Sequence, residues 1–319
     1  MASSSSSPII IFGPTGNVGR HAALAAGKRS DGNIILAMRD PAKSIPGLDE
    51  NGEKKIHGKF ERVKADLTDV ESVKNVVEET GAKKAFIYLV HSMTPDGKQD
   101  HMKGAIEALK EGGVEFVVFL SSYTVREPLE NIPSNDIIPY GHAQIELQLL
   151  SIFGKANFVA IRPGGFATNI QMWHGDEIKT GKLKMQAPDA KFDGITAEDM
   201  GEVVGNILAK KQTDVHAVYL FGPKMLSRME QARIVETALG KQFEIEEIGE
   251  EEAVKQYLSK GVPEVFAKYL AGKMGEIGDS QAVFAMGEWE EGVKNVERFT
   301  GRPAIGFEEW VGMNLERFR

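Results

Sequence analysis

Gly13-Pro14-Thr15-Gly16-Asn17-Val18-Gly19 is the stretch whose residue types and spacing point most directly to chemistry. It follows a short apolar run, Ile9–Phe12, and opens a segment, Val18–Lys28, that reads as a helix. A helix start presents unpaired backbone N–H groups and a partial positive charge, so a phosphate finds donors there. Glycine at a strand-to-helix turn lets the backbone approach the anion, and the last glycine lets the helix pack closely on the strand. The spacing is GxxGxxG rather than GxGxxG, so the position between strand and helix carries the argument more than the glycines do. Gly13, Thr15, Gly16, Asn17, Val18 and Gly19 are therefore expected to hold the pyrophosphate of a dinucleotide.

The second strand ends Ala37-Met38-Arg39-Asp40-Pro41-Ala42-Lys43. Folds that take NAD place an acidic residue at this point to bind the ribose 2′-hydroxyl. Here a guanidinium comes first, and it can grip a 2′-phosphate in a forked geometry and stack on adenine. Lys43 offers a second positive charge, and Asp40 reads as turn chemistry before Pro41. The cofactor expected is NADP(H), the alternative for Arg39 being a plain surface charge. Asp66-Leu67-Thr68-Asp69 closes the third strand. Asp66 is placed to accept from the adenine amino group beside Leu67, while Thr68 or Asp69 caps the next helix. Val90, His91 and Ser92 end the fourth strand, where a sheet of this kind lines the cofactor crevice.

Those residues need a scaffold of alternating elements, and the first half supplies one. Short apolar runs at Ile9–Phe12, Ile34–Met38, Arg62–Ala65, Ala85–Val90, Phe116–Leu120 and Phe158–Ile161 read as buried parallel strands. Between them, Val18–Lys28, Val70–Thr80, Gln99–Glu111 and Asp136–Phe153 read as helices. The rhythm predicts an α/β fold, a Rossmann-type doubly wound parallel sheet with helices on both faces. Beyond Ile161 helices dominate, at Ala197–Lys210, Leu226–Leu239, Glu250–Leu270, Ser280–Phe299 and Phe307–Arg319. The expected organisation is a disordered serine-rich tail over 1–7, a nucleotide-binding core over 8–162, and a smaller, mainly helical substrate-binding region over 163–319. One strand near 217–221 is expected to return to the core sheet. The acidic run Glu244 to Glu252 reads as a solvated face.

Composition narrows the function. A net charge of −8 argues against a general nucleic-acid binder or a protein held to anionic membranes. There is no cysteine, which removes disulfides, thiolate nucleophiles and Cys-ligated metal; the seven histidines are scattered without metal-ligand spacing. No basic start or apolar stretch marks a secretory signal, and no run is long enough to span a bilayer. The expected setting is the cytoplasm and the expected partner a small-molecule substrate, with no metal.

The sequence resembles the NmrA-like branch of the atypical short-chain dehydrogenase/reductase superfamily. The resemblance rests on the glycine loop, Arg39-Asp40-Pro41, Ala65-Asp66-Leu67, Ser121-Ser122 after strand five and Ile161-Arg162-Pro163-Gly164 after strand six. It covers about the first half of the chain. It implies a Rossmann core, NADP preference and a substrate cleft beside the C-terminal region, with Pro163, Gly164 and Phe166 next to the nicotinamide. Many members of the superfamily use a Tyr-x-x-x-Lys pair with a serine. Tyr140-Gly141-His142-Ala143-Gln144 occupies the corresponding place, so the resemblance implies Tyr140 as proton donor. Gln144 replaces the lysine: it can bond a ribose hydroxyl but brings no charge to depress the phenol pKa. Tyr123, in Ser121-Ser122-Tyr123-Thr124, falls about where the superfamily's Ser/Thr stands, and reads as an acid, a substrate-stacking group or a cover for the sheet edge. His142 reads as a second acid or as a solvent-exposed helix residue.

Phe166, Met172, Trp173 and His174 follow strand six, with Met185 and Phe192 soon after. They line a pocket for a flat or hydrophobic molecule, or they pack the C-terminal helices; Phe166, Met172, Trp173 and Tyr123 are the substrate-contact candidates. The function expected is an NADPH-dependent reductase of a small, largely apolar carbonyl, imine or conjugated alkene. Its rivals are a non-catalytic NADP(H)-sensing regulator and a non-redox isomerase or cyclase on the same fold.

Overall fold

The computed structural model describes residues 7–91, 99–210, 215–280 and 286–319, and the statements below concern these. Apart from Ser7, the expected serine tail lies outside the described residues, as does Ser92.

In chain order the elements are β1 (Ile9–Phe12), α1 (Asn17–Arg29), β2 (Asn33–Met38), α2 (Glu50–Glu53), β3 (Lys59–Lys64), α3 (Val70–Thr80), β4 (Lys84–Tyr88), α4 (Lys103–Glu111), β5 (Phe116–Leu120), α5 (Ile137–Phe153) and β6 (Phe158–Pro163). There follow α6 (Asn169–Thr180), β7 (Lys182–Met185), β8 (Lys191–Phe192), α7 (Ala197–Lys210), β9 (Ala217–Leu220), β10 (Leu226–Ser227), α8 (Arg228–Leu239) and β11 (Glu244–Glu247). The chain closes with α9 (Glu250–Ser259), α10 (Glu264–Ser280), α11 (Met286–Thr300) and α12 (Phe307–Met313).

Contacts divide the chain into two compact units. The first holds the chain to Pro163 with Ala197–Leu220 and Asn295–Arg302, and the second holds Gly164–Thr196, Phe221–Lys294 and Pro303–Arg319. In the first unit β3-β2-β1-β4-β5-β6-β9 form a seven-stranded sheet in which every pairing is parallel. Its central strands are buried on both faces, and so read as unbroken apolar runs rather than alternating ones. Strand order reverses between β1 and β4, and the crevice at such a switch point is where α/β sheets take their ligands.

The helices of this unit are fixed by local signals. Asp69 caps α3, its side chain accepting from the Ser72 N–H, and Gly81 ends the helix in the left-handed conformation. Helix α7 packs on α1 through two glycines. A β-carbon on Gly201 would lie 2.4 Å from Cβ of His21, and one on Gly205 would lie 2.5 Å from the Ala22 carbonyl oxygen. Lys84 Nζ donates to the Leu208 and Ala209 carbonyls at the C-terminal end of α7. Helix α7 and Asn295–Arg302, which the sequence reading grouped with the C-terminal region, thus belong to the nucleotide-side unit.

The second unit holds small pieces that sequence reading passes over. Strand β7 pairs in parallel with β11, and β8 pairs antiparallel with β10. Glu244–Glu247, expected as part of a solvated face, is a strand. It keeps its carboxylates in solvent, where Glu244 and Glu246 pair with Lys182 and Lys184. Residues 169–180 form a helix that the sequence reading did not assign, and the helix expected over Glu250–Leu270 breaks at Gly261-Val262-Pro263, with Gly261 at φ +79°. In the first unit α4 starts at Lys103 rather than Gln99, because His101 and Met102 both take positive φ. Helix α8 starts cleanly, by a reciprocal box of Ser227 and Glu230.

Candidate functional site

At the switch point of the first unit lies a cleft of about 310 Å³. Its walls come from the C-terminal ends of four adjacent strands: Phe12, Gly13 and Thr15; Met38 and Arg39; Asp66, Leu67 and Thr68; Tyr88 and Val90. Gly13, Thr15, Arg39, Asp66, Leu67 and Val90, the candidates the sequence offers for a dinucleotide, lie on its wall.

The glycine loop is tight. Gly13 has φ +66°, its N–H donates to the Ala37 carbonyl, and its own carbonyl accepts from Gly16. A β-carbon on Gly13 would meet the Tyr88 ring at 2.6 Å, and one on Gly19 would meet the Gly13 carbonyl oxygen at 2.3 Å. The third glycine therefore lets α1 start directly against the loop. Asn17, Val18 and Gly19 form the first turn of α1, which has no side-chain cap and no acidic residue. That leaves the positive end of the helix for an external anion.

Arg39 is exposed on the cleft wall and makes no hydrogen bond or ion pair among the described residues. Asp40 turns away into local structure, its carboxylate accepting from Ala42 N–H at 3.0 Å, as turn chemistry requires. Asp66 accepts from both the N–H and the hydroxyl of Thr68, while Asp69 serves as the helix cap. Tyr88 is a cleft residue that sequence reasoning missed. Strand β4 ends at Tyr88, two residues before the expected Val90 end, and turns the phenol over Gly13. Burial raises the Tyr88 pKa against the pull of Arg39, with Asp66 adding to the rise. Lys43, His91 and Gln144 do not line the cleft. A glycine cradle that a side chain would fill, an uncapped helix start and an unpaired guanidinium fit a phosphorylated dinucleotide.

The catalytic candidates sit on neighbouring strands and on α5. Tyr140 occupies the first turn of α5, half-buried, with its ring edge-on to His101 at 5.6 Å. Gln144 lies one turn further along. Tyr123 follows β5, its N–H donating to the carbonyl of Pro163, the last residue of β6. Ser121 is committed elsewhere: its hydroxyl donates to Glu146 at 2.5 Å. Glu146 and Arg162, 1% and 2% exposed, pair at 2.6 Å, and Tyr219 and Glu127 complete the guanidinium's shell. His142 is part-buried rather than solvent-exposed. It lies against Phe119 with Nδ1 on the Ile138 carbonyl, and burial lowers its pKa.

The second unit carries its own cavity, about 90 Å³, lined by Phe166, Trp173, His174, Met185 and Phe192 among others. The aromatic segment after β6 thus lines a hollow. Met172 is the exception, 58% exposed and off the cavity wall. Gly164 begins this unit, and the Asp193 carboxylate occupies the space a β-carbon there would need, at 2.3 Å. Asp193 is fully buried and accepts from the N–H groups of Gly165 and Gly222, tying two loops together.

A doubly wound parallel sheet with a glycine loop at its switch point defines a Rossmann-type α/β protein. The NmrA-like family model matches residues 5–311, and the chain belongs to that family. It is 32% identical to the nitrogen metabolite regulation-like protein bik4 of Gibberella fujikuroi, over 98% of each chain. It is 24% identical to a (4-alkanoyl-5-oxo-2,5-dihydrofuran-3-yl)methyl phosphate reductase of Streptomyces griseus, over 97% of this chain and 99% of the other. Among solved structures, the NADPH-dependent quinone oxidoreductase QOR2 of Escherichia coli, complexed with NADPH, superposes with TM-score 0.69 at 19% identity, over 96% of this chain and 99% of that one.

Proposed function

We propose that this protein is an NADPH-dependent reductase of a small carbonyl, imine or conjugated alkene. The observation that carries the cofactor assignment is Arg39, held at the end of β2 on the cleft wall without a partner among the described residues. A 2′-phosphate is the group that such a guanidinium recognises. The first turn of α1 and the cradle of Gly13, Gly16 and Gly19 hold the pyrophosphate, and Asp66 and Leu67 border the adenosine end. Bound NADPH supplies a hydride. The protein's part is to position the reacting groups, exclude water and deliver a proton, and Tyr140 is assigned that proton. The comparisons support this reading, since relatives over nearly the whole chain include a named reductase and one likened structure holds NADPH.

A second reading is a regulator that binds NADP(H) without turnover. It draws on Gln144 standing where a lysine would activate the tyrosine, and on Ser121 being spent on Glu146. It also draws on the relative named for nitrogen metabolite regulation. One experiment separates the two: NADPH oxidation followed by absorbance against a panel of quinones, imines and conjugated carbonyls, with wild type and Tyr140→Phe. Turnover that falls at least tenfold in the variant, with NADPH affinity unchanged, supports the reductase. Tight NADPH binding with no turnover across the panel supports the regulator.

A further inference from the structure

The cavity of the second unit has apolar walls and one unusual occupant. Phe166, Ile170, Trp173, Met185 and Phe192 make it apolar, yet the guanidinium of Arg228 also lines it. Arg228 is the first residue of α8, where the helix's positive end adds to its charge instead of offsetting it. One guanidinium nitrogen donates to the Gln186 carbonyl and the other to His174 Nε2, at 3.0 Å for the latter.

That second bond fixes the imidazole. Nε2 must offer its lone pair, so His174 is neutral, with its proton on Nδ1 donated to Glu177 at 2.7 Å. Burial holds the His174 pKa down, against the hydrogen bond it donates to Glu177. Glu177 takes a further bond from Gln256 at 2.6 Å. The nearest carboxylate on this path is thus a full imidazole away from Arg228. Glu230, two residues on, is exposed and engaged with the Ser227 N–H. Burial lowers the Arg228 pKa against the pull of Tyr257 and Glu177, and no carboxylate hydrogen-bonds the guanidinium among the described residues. Gln231 lies one turn beyond on the same wall, 7% exposed, and its side-chain amide has no bond among the described residues. A part-buried guanidinium and an idle amide facing an apolar hollow form a receptor for an oxyanion carried on a flat apolar body.

We propose that this cavity takes the anionic end of the substrate, a carboxylate or a phosphate ester on an aromatic or conjugated body, with Arg228 as its ion-pair partner and Gln231 as a second donor. This rests on the reductase reading, because the anion is taken to belong to the reducible molecule. It makes Arg228 a specificity-determining residue and narrows the apolar substrate expected from the sequence to an amphiphilic one.

The test uses the full chain and three probes: benzoate, phenyl phosphate and benzyl alcohol. Each is titrated calorimetrically, with tryptophan emission followed in parallel because Trp173 lines the cavity. At least one of the two anions is expected to bind tenfold or more tighter than the alcohol, and which anion leads tells carboxylate from phosphate. Arg228→Gln should erase the preference and Arg228→Lys should keep part of it. Gln231→Glu leaves Arg228 and its bonds in place but supplies a competing carboxylate, so it too should abolish anion preference. It decides the matter if the Arg228 variants do not fold. Equal affinity for alcohol and anions, no binding of any probe, or a preference that survives Gln231→Glu overturns the proposal. NADPH is titrated into the same samples. NADPH binding without anion preference overturns this inference alone, whereas anion preference without NADPH binding supports the cavity assignment and sinks the reductase reading.

Discussion

Replacing Arg39 by alanine tests the cofactor assignment at one atom group. The side chain is exposed and makes no bond among the described residues, so its loss should leave stability within about 0.5 kcal/mol of wild type. Its loss should matter only to a ligand with a phosphate on the adenosine ribose. A charge-assisted hydrogen bond is worth about 1.5–3 kcal/mol, roughly ten- to hundredfold in Kd. Two features set the expectation at the lower end of that range. The guanidinium faces solvent, which screens it, and Asp40 follows it directly, although that carboxylate is turned toward the Ala42 N–H. The expected result is therefore an approximately tenfold weaker NADPH, measured by calorimetry, with NADH affinity unchanged, and a smaller loss at high salt. If Arg39→Ala weakens NADPH and NADH equally, the side chain is not reading the 2′-phosphate. If it changes neither, the phosphate is held elsewhere and the NADP assignment fails.

Three further outcomes follow from the packing and the buried charges. Glu146→Gln breaks a buried ion pair, which costs about 3–5 kcal/mol in general; Glu127 still reaches Arg162 at 3.1 Å, so denaturant unfolding should report a loss near the lower figure. Gly205→Val forces a branched side chain into a gap where even a β-carbon meets the Ala22 carbonyl oxygen at 2.5 Å, and a loss of about 1–3 kcal/mol is expected by the same measurement. An unchanged midpoint would mean that α1 and α7 part easily. Burial pushes the Asp193 carboxyl from 3.8 up to about 7, against the N–H groups that favour its ionised form. The folded state then keeps a proton that the unfolded state has lost, so this group's contribution to stability falls as pH rises from about 4 to 7 and is flat on either side. Unfolding measured across that range should show a less negative slope in Asp193→Asn than in wild type, and identical slopes would refute the assignment.

The sequence makes the nucleotide side of this molecule legible because its signals are local. The strand–glycine–helix order around Gly13 to Gly19, the cation at Arg39 and the Asx turn of Asp40 are each set by neighbours a few residues away. What stayed hidden depends on distant partners. Strand β11 is mostly glutamate and has low strand propensity, yet Glu244 and Glu246 alternate to face Lys182 and Lys184 of β7. That period of two in opposite charges was the available signal. Helix α6 escaped notice because Gly175 and its polar residues blur the apolar face. Ser121 reads as a family serine, and only the folded chain brings Glu146 to it. Tyr88 sits inside the apolar run Ala85–Val90, and only the folded chain ends the strand there and turns the phenol over Gly13. The position of α7 was partly readable: Gly201 and Gly205, four apart, are the residues a close helix–helix approach needs.

The discontinuity of the first unit has a consequence for synthesis and for dissection of the chain. Helix α1 leaves the ribosome early, but the glycine face that covers it arrives with Gly201 and Gly205, and β9 supplies the outermost strand beside β6. The last contribution is Arg302, whose guanidinium pairs with Asp199 and Glu202 of α7. The nucleotide-side unit is therefore not complete until nearly the entire chain has emerged. A fragment ending at Pro163 keeps the glycine loop and six strands, yet bares an alanine-rich helix face and an open sheet edge, both prone to association. Expression of that fragment alone should give aggregates, whereas excision of a surface loop of the second unit should leave dinucleotide binding intact.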